Sequence, residues 1–220
     1  KLVLSLPAGQ DLPSLLAHAT GGSRTLLALL LGGGLGLGLV AWVLARPQGR
    51  SGEVLLAGLG VGAVIVGVWW VSGRLGYLAE HPATLEESFL GTNSRRMESL
   101  SFVAPVAYTM DWLILFSDTS RVLTLGIVST LGVVLGSGLA ALLGGSFRWE
   151  GFAGVEDTAN HIVGGVLMGI GGVTAMGCTV GQGLSGVSTL ALGSFIALGG
   201  ILAGGWLGVR YQVWRVERSL

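Results

Sequence analysis

From Thr25 to Ala45 the chain reads "TLLALLLGGGLGLGLVAWVLA", an uncharged run of 21 residues. A helix of that length rises about 30 Å, the thickness of the hydrocarbon core of a bilayer. Comparable runs recur as "VLLAGLGVGAVIVGVWWVSG" (54–73), "VLTLGIVSTLGVVLGSGLAALLGG" (122–145) and "LSGVSTLALGSFIALGGILAGGWLGV" (184–209). A chain punctuated this way is an integral membrane protein. Its mean hydropathy of +0.75 and charged fraction of 11% agree, and 40 glycines among 220 residues let transmembrane helices approach closely.

The breaks between runs set the topology. "ARPQGRSGE" (45–53) closes the first, and Trp69 and Trp70 mark an aqueous boundary near the end of the second. Residues 74–100 carry charges and no sustained apolar face, which predicts an extramembrane loop with one short helix, Arg95 and Arg96 being solvated. "SFVAPVAYTMDWLILFS" (101–117) is too short for a crossing and holds Pro105 and Asp111, so a half-length or interfacial helix is expected. In "VEDTANHIVGGVLMGIGGVTAMG" (155–177), Asp157 or Thr158 is the expected N-cap. The apolar part, Ile162 to Met176, spans only about 22 Å. A glycine-rich break with Cys178 follows, and then a long helix over 184–209. The expected fold is all-α, a polytopic transmembrane helical bundle forming a single membrane domain over 1–220, with short re-entrant or half-length helices around a central path. Irregular backbone at membrane depth is tolerated where it lines a cavity or is buried in protein.

Other classes fall away. Twelve basic and twelve acidic residues are scattered with no polybasic arm, so nucleic acid is not an expected partner. One cysteine makes no intrachain disulfide, and no Cys/His pair has metal spacing; no metal or cofactor is expected. The chain begins at Lys1 without a signal peptide, and it is expected to be part of a longer protein.

Chemistry concentrates at "AMGCTVGQGLSG" (175–186). His161, Gly165, Met168, Gly169, Gly172 and Met176 share a helical face leading to Cys178. Taken alone, that stripe is a small-residue packing seam and the cysteine a small hydrophobe. The next residues change the balance. Gly181 and Gly183 free backbone N–H groups at a helix start, while Thr179, Gln182 and Ser185 add neutral hydrogen-bonding groups. A helix N-terminus attracts anions, and without a buried Lys or Arg it holds them weakly enough to release them, as conduction requires. A polarizable thiol ranks sulfur-bearing oxyanions first among ligands.

The stretch "HIVGGVLMGIGGVTAMGCTVGQGLSGVSTLALGSFIALGGILAGGWLG", with "FRWEGF" and "SFVAPVAYTMDWLILFS" before it, resembles the C-terminal signature of the YeeE/YedE family of sulfur-transport membrane proteins. The resemblance implies uptake of thiosulfate or a related sulfur compound between short re-entrant helices. It implies that cysteines pass the ion by weak thiol-to-sulfur hydrogen bonds, and that a small cytoplasmic sulfurtransferase receives it. Members of the family carry further glycine-cysteine motifs in an N-terminal half; here only Cys178 has a counterpart, so this chain is expected to be the C-terminal portion.

The expected function is therefore a permease for thiosulfate or a related sulfur anion, not an enzyme, in the bacterial inner (plasma) membrane. The path is assigned to Cys178, Gly177, Thr179, Gly181, Gln182, Gly183, Met176 and His161, with no catalytic residue. His161 is read as a capping or entrance residue and Met176 as a constriction. The amide of Gln182 serves either an oxyanion or backbone carbonyls. Arg210, Arg215 and Arg218 favour a cytoplasmic C-terminus. The alternatives are a persulfide formed on Cys178 for a sulfurtransferase, transport of a selenium compound, and a structural membrane subunit.

Overall fold

The computed structural model describes residues 9–82, 85–118 and 122–219. Almost all regular structure is helical, and the chain divides into two compact units, 1–63 with 182–220, and 64–181. Among the described residues four helices are long and apolar enough to cross a membrane: Arg24–Ala45, Gly52–Leu75, Leu125–Leu143 and Leu192–Arg218. Large apolar side chains along them, among them Leu37, Leu56 and Leu135, stand exposed. That suits helices solvated by lipid, where the backbone is satisfied within each helix and no apolar face need be hidden from water.

In the first unit, α1 (Leu12–Thr20) begins at Asp11, whose carboxylate accepts the N–H of Ser14 at 3.1 Å, and ends at Gly21 in the left-handed region. Ser23 caps α2 (Arg24–Ala45), which packs on α1, and a 3-10 turn, Pro47–Arg50, leads into α3 (Gly52–Trp70). At the other end of the sequence, the chain is helical over 179–188, where its middle, Gly181–Gly186, is a π-turn. It breaks at 189–191 before α7 (Leu192–Ser219).

The expected unbroken helix over 184–209 is thus two helices. The cause is tertiary. Leu12 donates its N–H to the Leu190 carbonyl at 2.9 Å, and Leu192 donates to the Gln10 carbonyl at 3.0 Å, forming an antiparallel bridge between Asp11 and Ala191. Leu190, 8% exposed, takes a left-handed φ of 56° to make the turn.

In the second unit, α3 ends in a π-turn (Val71–Leu75), and a small hairpin follows, β1 (Tyr77–Leu78) against β2 (Ser88–Phe89), with Tyr77 opposite Phe89. Past that π-turn, no described residue of the 74–100 loop is helical, so the expected short helix is replaced by this hairpin. The loop folds back on its unit. The Ser72 hydroxyl donates to the Glu98 carbonyl at 2.6 Å, Ser99 to the Ile65 carbonyl at 3.0 Å, and Leu125 N–H to the Gly91 carbonyl at 2.7 Å. Then come α4 (Val103–Ile114), α5 (Leu125–Leu143) and α6 (Val155–Thr174). α4 is a half-length helix of 12 residues. α6 starts at Gly154 rather than at Asp157 or Thr158. Asp157 lies in its first turn, where the carboxylate accepts the N–H of Ala153, the residue before the N-cap, at 3.0 Å.

Candidate functional site

α6 leaves its last turn through a Schellman motif. Gly177 N–H donates to the Gly172 carbonyl at 2.8 Å and Met176 N–H to the Val173 carbonyl at 3.1 Å. The residue in the left-handed position is Met176, at φ 55°, where glycine is usual. For a residue with a Cβ that conformation costs about 1–2 kcal/mol. The turn delivers Cys178 to the start of the 179–188 helix, half-buried and acting as its N-cap.

The sulfur accepts the Gly181 N–H at 3.4 Å, with the Val180 N–H beside it. Two more backbone N–H groups face the same sulfur from another element, those of Phe102 and Val103 at the start of α4. Two helix starts therefore converge on one thiol. The first N–H groups of a helix have no partner within it and carry its positive end, so their convergence makes a neutral, anion-favouring cradle.

Two glycines permit the convergence. A Cβ on Gly172 would lie 2.7 Å from Val103 Cγ2, and one on Gly181 would lie 2.6 Å from Ser101 Oγ. The first turn of α4 is wedged between the end of α6 and the residues after Cys178. Ser101, Phe102 and Val103 escaped the sequence reading, although Pro105 marks the first turn of a helix, where N–H groups are unpaired.

The remaining expected residues divide. Gly177, buried, makes the Schellman turn, and Thr179 follows the thiol with its side chain exposed. Met176 is 88% exposed at the bend. His161 sits near the other end of α6, about 20 Å from Thr174 along the helix by its rise. Its Nδ1 lies 2.8 Å from the Asp157 carbonyl, and its ring meets that of Phe152 at a tilt of 51° with centroids 5.0 Å apart, so it is tied to its own helix start and not to Cys178. In the first unit, Gln182 Oε1 accepts the Ser194 hydroxyl at 2.6 Å. Gly183 lies inside the π-turn, and a Cβ there would touch Leu198 at 3.3 Å, so its bareness serves packing against α7. Among the described residues no group of three His, Cys, Asp or Glu side chains is arranged to hold a metal ion.

Two curated thiosulfate transporters are similar: that of Spirochaeta thermophila, 37% identical over 100 residues, and that of Escherichia coli, 31% identical over 111 residues. These alignments take in 44% and 50% of this chain but only 30% and 31% of the relatives' own length. No solved structure matches. The family described as "Sulphur transport" matches residues 40–207, which take in the whole of the second and third apolar spans, the greater part of the fourth and the whole Cys178 turn. The chain, a multi-pass membrane protein, belongs to that sulphur-transport family.

Proposed function

We propose that this chain supplies part of a permease for thiosulfate or a closely related sulfur anion, with Cys178 on the path. What carries the reading is the meeting of two helix starts on one sulfur atom. Backbone N–H groups offer the anion's oxygens partial positive charge without a fixed cation, and the thiol offers its terminal sulfur a soft contact. Held this way, an anion leaves as readily as it enters. Transport proceeds without covalent turnover, and Gly177, Thr179 and Gly181 shape the passage. The thiosulfate transporters it resembles support the substrate class. The arginines of α7 support a cytoplasmic C-terminus in the bacterial inner membrane. A small cytoplasmic sulfurtransferase receives the ion.

The test is uptake of thiosulfate labelled in its outer sulfur by cells lacking other importers, expressing the full-length protein with Cys178, Cys178→Ser or Cys178→Ala. Serine keeps an acceptor at the N-cap, so its protein reaches the membrane in normal amount, whereas alanine loses a cap worth about 0.5–2 kcal/mol. The expected result is uptake with cysteine and none with either replacement. Full uptake by the serine protein would remove the thiol from the path, and none with Cys178 intact would overturn the substrate.

A further inference from the structure

The uncharged stretch of α7 runs from Leu192 to Val209, which at 1.5 Å per residue covers about 27 Å, close to the hydrocarbon thickness of about 30 Å. The first charge, Arg210, therefore falls at the headgroup layer, and the rest of the helix continues through it. Along this part Trp206, Arg210, Trp214 and Arg218 recur at intervals of four, which puts them on one face. The Arg210 guanidinium lies 5.5 Å from the Trp206 ring, and that of Arg218 lies 4.1 Å from the Trp214 ring. Beside them Leu207, Arg210, Tyr211 and Trp214 border an open apolar groove of about 360 Å³.

Stacking on an indole occupies the face of a guanidinium and leaves its N–H edge to bind oxygens in pairs. Among the described residues neither Arg210 nor Arg218 is paired with a carboxylate. Arg218 also lies in the last turn of α7, where the helix dipole favours cations.

We propose that this face of α7 binds the headgroup of an anionic phospholipid, with its phosphates on the edges of Arg210 and Arg218 and an acyl chain along the Leu207–Tyr211–Trp214 groove. The rings fix the guanidinium planes in advance, so little side-chain freedom is lost when the phosphate arrives. A neutral headgroup offers the same phosphate but cancels its charge with choline, and binds less.

The experiment is native mass spectrometry of the full chain in detergent, titrated with phosphatidylglycerol or phosphatidylcholine. The intact protein should retain phosphatidylglycerol selectively and release it as salt is raised. A basic side chain near an anionic surface is worth about fivefold in binding, so Arg210→Gln with Arg218→Gln should cost about 30-fold. Arg210→Lys with Arg218→Lys should fall between, because charge is kept and the stacked fork is lost. Equal retention of the two lipids by the unaltered chain, or salt-insensitive retention, would overturn the proposal even if the glutamine variant failed to fold. So would undiminished binding in a folded glutamine variant.

Discussion

Replacing Gly181 by alanine tests whether α4 is held against the thiol by close approach. The added methyl would lie 2.6 Å from Ser101 Oγ, 3.1 Å from its Cβ and 3.6 Å from its Cα. Rotation of the hydroxyl relieves the first contact but leaves the second about 0.4 Å inside the ~3.5 Å at which carbon contacts become favourable. Ser101 must therefore retreat by a few tenths of an ångström and draw the Phe102 and Val103 amides away from Cys178. Overpacking of this kind costs about 1–3 kcal/mol, and the low end applies because one clashing atom can turn aside. Ser101→Gly removes both Oγ and Cβ, so the double variant should recover most of the loss, with a coupling of about 1 kcal/mol. Two readouts serve: the unfolding midpoint in detergent, and the alkylation rate of Cys178 by N-ethylmaleimide, read on its own peptide by mass spectrometry. Gly181→Ala should lower the midpoint and speed alkylation, and Ser101→Gly should reverse both. If Gly181→Ala matched the unaltered protein in both readouts, or Ser101→Gly left its defects in place, the close approach would not be what assembles the cradle.

Three further outcomes follow from the same structure. Gly172→Ala should behave like Gly181→Ala, since its methyl would meet Val103 Cγ2 at 2.7 Å, with Val103→Ala as the rescuing change in the same assays. Met176→Gly should leave the unfolding midpoint unchanged or slightly raised, because relief of left-handed strain is offset by about 0.4–1 kcal/mol of unfolded-state entropy; Met176→Val should lower it. Burial pulls the Asp11 carboxyl upward in pKa, but hydrogen bonds from Ser14 and the nearby Arg24 outweigh it, and the group lies below its ordinary value. Its stabilisation of α1 is therefore complete above the unfolded value of about 3.9 and is lost as pH falls through the lower folded value. Amide exchange at Ser14 and Leu15 should accelerate over that fall, and Asp11→Asn, which still caps, should flatten the dependence.

The crossing helices were legible because an uncharged run of 19 residues or more has few other uses, and α4 was legible as a half-length helix from its proline and aspartate. The joint at 189–191 was not. "GVSTLALGS" holds no proline and no charge, and it breaks only because Gln10 and Leu12 compete for its backbone from the far end of the sequence. The two-residue strands of the hairpin are too short for any alternation to register. At the start of α6 the sequence pointed to the right carboxylate, Asp157, and the wrong role, because an acid in the first turn can reach back to an N–H before the helix as readily as a cap stands before it. The sequence likewise pointed to Cys178 and to the amides that follow it, whereas the second pair of amides depends on the packing of Val103 on Gly172, which no spacing along the chain reveals.

The bridge between Asp11 and Ala191 also bears on how the chain is assembled. Residues 10–12 leave the ribosome long before residues 190–192, so the Asp11 segment waits, its two bridging groups unsatisfied by their final partners, while the intervening helices are inserted. Closing so distant a contact is slow in folding terms although its entropic cost grows only with the logarithm of the separation. The joint behind the π-turn is thus among the last features to set, and the helix pair it fixes stays adjustable until most of the chain is already in the bilayer.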